Sequence, residues 1–220
     1  MFKDREDAGK QLGRALEDYR SEDTLVLAIP RGGVEVGYQA ARHLGAEFSL
    51  VIARKLPFPD RPEAGFGAVA ENGEAVLLEG PAARVPENQQ QRIIREQRAE
   101  IKRRVNILRD GDPLPPLEGR TVILVDDGIA MGSTMRASIQ LCRERRPGTL
   151  VAAVPVAGAR VKAQIAQLVD DLVVLETPPM FRAVAQVYEH WHDVSDSEVL
   201  EIMDRWEKNP TDDQEYGEVE

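Results

Sequence analysis

The residues best suited to do chemistry lie between positions 121 and 135, where an apolar run is followed by two carboxylates and a loop of small residues. The apolar residues 122–125 predict a buried strand, and Asp126 and Asp127 follow it directly. A loop that leads into a helix, predicted here from Ser133, points several backbone N–H groups at one spot, where the helix dipole also favours an anion. Carboxylates suit sugar hydroxyls or a bound cation. The segment therefore predicts a sugar-phosphate site.

This segment resembles the motif with which type I phosphoribosyltransferases bind phosphoribosyl diphosphate (PRPP). In that family several apolar residues precede two acidic residues and a short loop rich in Thr and Gly. The resemblance implies that Asp126 and Asp127 hold the ribose hydroxyls and, through the ribose or water, Mg²⁺. It also implies that the 5′-phosphate is bound by the loop residues Ala130, Met131, Gly132, Ser133 and Thr134. The family usually has Thr at the position of Met131, so one hydroxyl donor is missing here.

A second candidate segment, Pro30-Arg31-Gly32-Gly33, follows the first predicted strand. Two glycines there allow backbone N–H groups to approach a ligand closely. In type I phosphoribosyltransferases a short loop at this place binds the diphosphate group, and this segment is similar to it. Arg54 and Lys55 end the second predicted strand, and the resemblance places Lys55 at the same diphosphate. Arg31 and Lys55 therefore join the two aspartates as the expected catalytic residues.

Two further segments are expected to complete the site. Residues 56–67 are rich in Pro and Gly and predict a mobile loop. The family keeps a flexible loop at this place, which closes over the site and excludes water. Phe181 follows the last predicted strand, where an aromatic residue of related purine-using enzymes stacks on the base. For Tyr188 and Trp191, helical spacing favours a packing role instead.

The implied reaction is transfer of the phosphoribosyl group from PRPP to a small nitrogenous base with release of diphosphate, as in purine or pyrimidine salvage. Enzymes that act on hypoxanthine or guanine have a third acidic residue where this chain has Ala130. The acceptor is therefore expected among adenine, orotate, uracil or an unusual base. The order of the motifs is also similar to that of uncharacterised bacterial phosphoribosyltransferase-like proteins.

Two alternatives from other functional classes stay open. The first is a non-catalytic regulatory protein that senses PRPP or a nucleotide, with Met131 weakening the phosphate loop and the helix predicted near 88–109 contacting RNA. Residues 88–109 include seven basic residues against two acidic ones, a pattern that is usually a solvated face. The second is a phosphohydrolase of a related sugar phosphate. It requires a positioned base for water, and no single residue stands out for that role.

The elements that position these residues can be predicted from the periodicity of the apolar residues. Predicted strands at 24–29, 48–53, 121–125, 149–156 and 171–175 alternate with predicted helices at 7–20, 34–44, 86–109, 133–145 and 161–168. Asn72-Gly73 indicates a hairpin, and residues 196–208 predict a final helix. The alternation predicts an α/β fold with a doubly wound, mainly parallel sheet flanked by helices. The resemblance adds a hairpin and flexible-loop insertion and a small C-terminal hood. In such sheets ligands bind beyond the carboxyl ends of the strands.

Length and composition are typical of one globular domain, predicted here for residues 1–208. Residues 209–220 contain five acidic residues and no basic one, which predicts a disordered tail that carries half of the net charge of −10. The acidic balance argues against general nucleic-acid binding, and no apolar run approaches the roughly 20 residues of a membrane helix. The single cysteine, Cys142, excludes an internal disulfide and predicts a cytoplasmic location. A homo-oligomer, specifically a dimer, is expected as well.

Overall fold

A five-stranded parallel sheet forms the centre of the computed structural model, which describes residues 1–62 and 64–209. In chain order the strands are β1 (Thr24–Ala28), β2 (Glu47–Leu50), β3 (Ala53–Pro57), β4 (Gly65–Ala70), β5 (Ala75–Leu77), β6 (Thr121–Val125), β7 (Thr149–Val156) and β8 (Asp171–Glu176). The central sheet has the order β2-β1-β6-β7-β8, and all of its neighbouring strands are parallel. The predicted parallel sheet is thereby confirmed.

Helices cover both faces of this sheet. In chain order they are α1 (Arg5–Ala15), α2 (Gly32–Leu44), α3 (Glu79–Ala82), α4 (Glu87–Leu108), α5 (Ser133–Glu144), α6 (Ala159–Ile165) and α7 (Asp196–Lys208). One buried apolar cluster joins α1, α2, α4 and α7 to one face, and a second joins α5 and α6 to the other. Because both faces are buried, the strands are continuous apolar runs rather than alternating ones.

The order of the strands brings the two predicted ligand-binding loops together. β1 lies beside β6, with Leu27 opposite Leu124 and Ala28 opposite Val125. From β1 the chain continues to one side of the sheet, and from β6 it continues to the other. Open α/β sheets bind ligands in the crevice at such a reversal. The loops after β1 and β6 meet there, as the sequence predicts.

A smaller antiparallel sheet in the order β3-β4-β5 accompanies the central one. The predicted hairpin is confirmed, because β4 pairs with β5 around Gly73, whose φ of +83° suits glycine. The predicted loop 56–67 is shorter than expected: β3 extends through Pro57, and β4 begins at Gly65. Residue 63 of this loop is outside the described residues. The antiparallel pairing of β3 with β4 supplies order that a count of Pro and Gly could not indicate.

The prediction of one strand over residues 48–53 was wrong. β2 ends at Leu50, and β3 begins at Ala53 in the smaller sheet. Arg54 and Lys55 consequently lie inside β3, opposite residues of β4, and not at the carboxyl end of a parallel strand. The run from 48 to 53 contains no glycine or proline, so its sequence gives no sign that the chain changes sheets.

A buried ion pair holds the chain at this change of sheets. Arg109 donates to Glu71 through Nη2 at 2.6 Å and through Nη1 at 3.0 Å, and the side chains are 6% and 12% exposed. Nη1 also donates to the carbonyl of Leu50 at 2.8 Å, and Glu71 accepts from the backbone N–H of Ile52 at 3.1 Å. The groups that fix this crossing come from distant segments, which explains why no local pattern indicates it.

The last part of the described chain packs back onto the first. The backbone N–H of Phe2 donates to the carbonyl of Val187 at 2.7 Å. The predicted final helix matches α7, which begins with a capping box between Ser195 and Glu198. Of the segment predicted as a disordered tail, only Asn209 is described, and residues 210–220 lie outside the described residues.

Among the helices described, none has the length and apolar character needed to cross a membrane.

Candidate functional site

A cavity of about 210 Å³ lies at the carboxyl end of β6. Asp126, Lys55 and Val184 contribute to its wall. The remainder of the wall is mostly the predicted phosphate loop with its neighbours, namely Gly128, Ile129, Ala130, Met131, Gly132, Ser133 and Thr134. The structure thus brings the whole predicted phosphate loop, one of the two carboxylates and one of the predicted cations around a single space.

The backbone fixes the shape of the loop. The N–H of Ile129 donates to the carbonyl of Val156 at 2.8 Å, which ties the loop to β7. Gly132 has φ +75°, and a Cβ at this position would lie only 3.0 Å from Val161. α5 begins at the next residue, Ser133, and has no acidic residue in its first turn. Its free N–H groups and its dipole therefore favour an anion at the cavity.

Met131, where similar proteins usually have Thr, lies at the rim of this cavity. Its side chain is 45% exposed, whereas Ser133 is 7% exposed. Thr134 is half-buried and also lines the cavity. The loop consequently keeps two hydroxyl side chains at the cavity, and Met131 places apolar surface where a third hydroxyl is common.

The two aspartates have different surroundings. Asp126 lines the cavity, and its Oδ1 accepts a hydrogen bond from the backbone N–H of Asp127 at 2.9 Å. Burial raises the pKa of Asp126 well above its usual range, and the adjacent charge of Asp127 raises it further. Burial also raises the pKa of Asp127, although the neighbouring Arg5 opposes that shift. Asp126 is therefore the carboxylate that faces the ligand space, and Asp127 is engaged by the protein itself.

Arg5, the first residue of α1, engages Asp127. Its Nε donates to Asp127 Oδ2 at 2.9 Å, and its Nη1 donates to the carbonyl of His192 at 2.9 Å. The guanidinium carbon lies 3.9 Å from the centre of the Trp191 ring, within the range of cation–π attraction. Arg5 is only 4% exposed, and Glu35 Oε2 lies 3.6 Å from Nη1. These contacts fix the guanidinium in one orientation.

Tyr188 supports the same carboxylate through the backbone. Its hydroxyl donates to the carbonyl of Asp127 at 2.7 Å, and its ring contacts the rings of Phe2 and Trp191. Burial raises the pKa of Tyr188 above its usual range, so the hydroxyl keeps its proton. The sequence predicts packing roles for Tyr188 and Trp191, and the structure adds that both pack around Arg5. No local spacing in the sequence indicates this role of Arg5, because its partners Asp127 and His192 are distant in the chain.

Gly32 and Gly33 lie directly against the aspartates. A Cβ on Gly32 would overlap the carboxylate of Asp127, and a Cβ on Gly33 would lie 2.9 Å from the Cα of Asp126. Both positions therefore need glycine for steric reasons. The beginning of α2 and the end of β6 approach each other closely at this point.

Arg31 is separated from the cavity that Lys55 lines. Its Nη1 lies 3.6 Å from Asp196 Oδ1 at the start of α7, and the side chain is 39% exposed. Lys55 instead reaches the phosphate loop from β3, passing over Gly65. The structure thus places only Lys55, of the two cations expected at one diphosphate, in the wall of this cavity.

Phe181, the predicted base platform, does not line the cavity. Its ring lies close to Gly158, with 3.3 Å between the ring atom Cδ1 and a Cβ built on that glycine. It packs at the edge of the small apolar cluster of Phe2, Val156 and Tyr188. Val184 occupies the wall of the cavity instead.

Comparisons with known proteins agree with this geometry. A family model described as "Phosphoribosyl transferase domain" matches residues 5–189. Two Mycobacterium tuberculosis proteins named "Putative phosphoribosyl transferase", from strains H37Rv and CDC 1551, are 37% identical over 207 residues, which is 93% of this chain. The chain spans about half of their length, 47%. The crystal structure of TT1426 from Thermus thermophilus is 36% identical, with a TM-score of 0.77, covering 93% of this chain and 98% of that one.

Proposed function

The chain belongs to the phosphoribosyl transferase family, and on this basis we propose that it binds PRPP with Mg²⁺ and transfers the phosphoribosyl group to a nitrogenous base, releasing diphosphate. One observation carries the proposal. The loop of residues 128–134, Asp126 and Lys55 line one cavity at the point where the strand order reverses. Because the chain spans about half of its curated relatives, activity, substrates and partners are all part of the proposal.

The loop holds the 5′-phosphate of PRPP. Backbone N–H groups at the start of α5 and the hydroxyls of Ser133 and Thr134 donate to the phosphate oxygens. Lys55, which lines the same cavity, adds a positive charge. The cavity is too small for a whole nucleotide, since small-molecule sites measure about 300–1,000 Å³, but its volume of about 210 Å³ suits a phosphate with part of a pentose.

Asp126 accepts hydrogen bonds from the ribose hydroxyls, and Asp127 keeps Asp126 in place through its backbone N–H. The diphosphate lies toward Gly32 and Gly33, where the N–H groups at the start of α2 favour negative charge. Arg31 is partly exposed, and its Nη1 is 3.6 Å from Asp196 Oδ1, so its guanidinium is available to the leaving diphosphate. Positioning and charge stabilisation are the chain's contributions to the reaction.

The donor set fits a Mg²⁺ ion that arrives with its substrate. Among residues 1–62 and 64–209, no three His, Cys, Asp or Glu side chains are grouped to hold a metal. Asp127 already uses Oδ2 for Arg5, which leaves Asp126 as the carboxylate at the cavity that can contact the ion, directly or through water. When bound, the ion would neutralise charge on the diphosphate, with substrate oxygens and water as its main ligands.

The acceptor is proposed to be a base other than hypoxanthine or guanine, because Ala130 supplies no carboxylate next to the phosphate loop. A panel of adenine, orotate, uracil, hypoxanthine and guanine, with diphosphate release from PRPP as the readout, tests this. We expect release with one of the first three and loss of release in Asp126→Asn. Release with hypoxanthine or guanine would refute the choice of acceptor, and PRPP binding unchanged by Asp126→Asn would refute the site.

A second candidate function is a PRPP sensor without turnover. Exposed Met131 favours it, since the loop lacks a hydroxyl at that position. Calorimetric PRPP binding together with silence across the whole base panel would favour the sensor over the transferase.

A further inference from the structure

A groove of about 700 Å³ adjoins the phosphate loop and is separate from the proposed substrate cavity. It shares Ala130 and Met131 with that cavity, but neither Asp126 nor Lys55 lines it. Its other walls are residues 76–81, the first turn of α5 and the start of α6. We call it the loop groove. Its volume lies within the range of about 300–1,000 Å³ that is typical of small-molecule sites.

Two arginines give the loop groove a positive character. Arg136 and Arg160 line it, and Glu79 is the one acidic residue among the described residues of its wall. Arg136 donates through Nη2 to Gln164 Oε1 at 2.8 Å, and neither arginine has an ion-pair partner in the described part of the chain. In a protein with 38 acidic and 28 basic residues, two arginines without carboxylate partners in one groove point to an anionic ligand.

The position of Arg136 supports the same conclusion independently. It is the fourth residue of α5, and its backbone N–H donates to the carbonyl of Gly132, which closes the first turn. A positive side chain in the first turn opposes the helix dipole. In addition, Arg136 Nε is buried without a hydrogen-bond partner among the described residues, which lowers stability. The stability of the fold gives no reason for an arginine at this position, whereas binding of an anionic ligand does.

The loop groove also exposes apolar side chains. Leu77 is 41% exposed and Met131 is 45% exposed, and both line it next to half-buried Val76. A flat apolar group suits this surface, and a phosphate suits the two arginines. A nucleotide has both.

We propose that the loop groove binds a nucleoside phosphate, with its base against Leu77 and Met131 and its phosphates at Arg136 and Arg160. Because Met131 lines both cavities, a ligand in either of them would contact the same residue. Occupancy of the loop groove therefore changes the affinity of the phosphate loop, and the reverse coupling has the same magnitude. This site lies beyond the proposed transferase reaction and does not depend on it.

Calorimetric titration with ADP, in the presence of saturating ribose 5-phosphate, tests the proposal. We expect one ADP per chain. Arg136→Gln/Arg160→Gln should weaken ADP binding at least about tenfold, since charge-assisted hydrogen bonds to phosphate are lost, and should leave ribose 5-phosphate binding nearly unchanged. Leu77→Ser should weaken ADP more than it weakens inorganic diphosphate, which has no base.

The matched control is Arg14→Gln/Arg95→Gln, which removes two exposed arginines on α1 and α4 and should not change ADP binding. Thermal melting of each variant verifies that it is folded. The proposal would be overturned if the control variant lost ADP affinity to the same extent, or if ADP did not bind in the presence of ribose 5-phosphate. It would also be overturned if ribose 5-phosphate displaced ADP one for one. If ADP binds through Arg136 and Arg160 while ribose 5-phosphate does not bind at all, the groove is supported and the transferase proposal fails.

Discussion

Arg5 and Asp127 are 122 positions apart in the sequence, yet Arg5 Nε lies 2.9 Å from Asp127 Oδ2 and both side chains are largely buried. The pair explains why two adjacent carboxylates can coexist in a buried position. Two adjacent carboxylates without a cation would lose their charge by protonation. Here Arg5 compensates Asp127, which leaves Asp126 as the carboxylate with a strongly raised pKa at the cavity.

Replacing Arg5 should destabilise the fold. Arg5→Gln leaves Asp127 buried without its cation, and loss of one partner of a buried ion pair costs about 3–5 kcal/mol. Urea unfolding measures this change. Arg14→Gln, at an exposed position of the same helix, is the control and should cost less than about 0.5 kcal/mol. Similar losses in the two variants would contradict the assigned role of Arg5.

Asp126→Asn should stabilise the protein at neutral and higher pH. The folded pKa of Asp126 lies above its unfolded value, so its contribution to stability is present below the unfolded pKa, near 3.8, and is lost as pH rises through the folded pKa. Asn carries no charge, so the variant does not lose stability as the pH rises in this range. Melting temperatures measured at about pH 5 and about pH 8 test this. We expect the decrease in melting temperature between these two values of pH to be smaller for the variant than for the unsubstituted protein.

Asp127→Asn is the natural comparison, and at about pH 8 it should raise the melting temperature less than Asp126→Asn does, because Arg5 opposes the effect of burial on the pKa of Asp127. It leaves Arg5, which is 4% exposed, without its carboxylate. If Asp126→Asn and Asp127→Asn shift the melting temperature by equal amounts at about pH 8, the two aspartates do not have the different roles described above.

Met131→Thr should tighten binding of ribose 5-phosphate. The change restores a hydroxyl next to the phosphate, worth about 0.5–1.5 kcal/mol, or roughly two- to tenfold in affinity. Calorimetry provides the measurement. Met131→Ala separates the gain of a hydroxyl from the removal of the long side chain, and a gain of similar size in both variants would show that the hydroxyl is not responsible.

Lys55 and Arg31 should act on different phosphates. Lys55 lines the cavity with the phosphate loop and Arg31 does not, so Lys55→Gln should mainly weaken ribose 5-phosphate, and Arg31→Gln should mainly weaken inorganic diphosphate. Arg54→Gln is a matched control in the same strand, because Arg54 instead donates to Gln97 on α4. Equal weakening of both ligands by Lys55→Gln would contradict the division.

Glu71→Gln should destabilise the connection between the two sheets. It removes the charge that Arg109, 6% exposed, requires, and the expected cost is about 3–5 kcal/mol. Glu74→Gln, at an exposed residue of the same hairpin, serves as the control. A double-mutant cycle with Arg109→Met measures the coupling, and a coupling below about 0.5 kcal/mol would refute the role of the pair.

The sequence predicts the elements of the central sheet well, because buried parallel strands are continuous apolar runs and their helices have clear periodicity. It also locates the loop after β6 and the glycines at 32 and 33, since their chemistry is local. The change of sheets after Leu50 and the engagement of Asp127 by Arg5 could not be predicted. Both depend on contacts between residues that are distant in sequence and near only in the fold.

The arrangement around Arg5 also has a consequence for protein synthesis. Arg5 leaves the ribosome before Asp127, and Trp191 and the carbonyl of His192, which cover the guanidinium, emerge after both. Until Trp191 and His192 have emerged, both charged groups of the ion pair remain accessible to water. The surroundings of this ion pair are therefore completed only after residue 192 has been translated, roughly 60 residues after the phosphate loop.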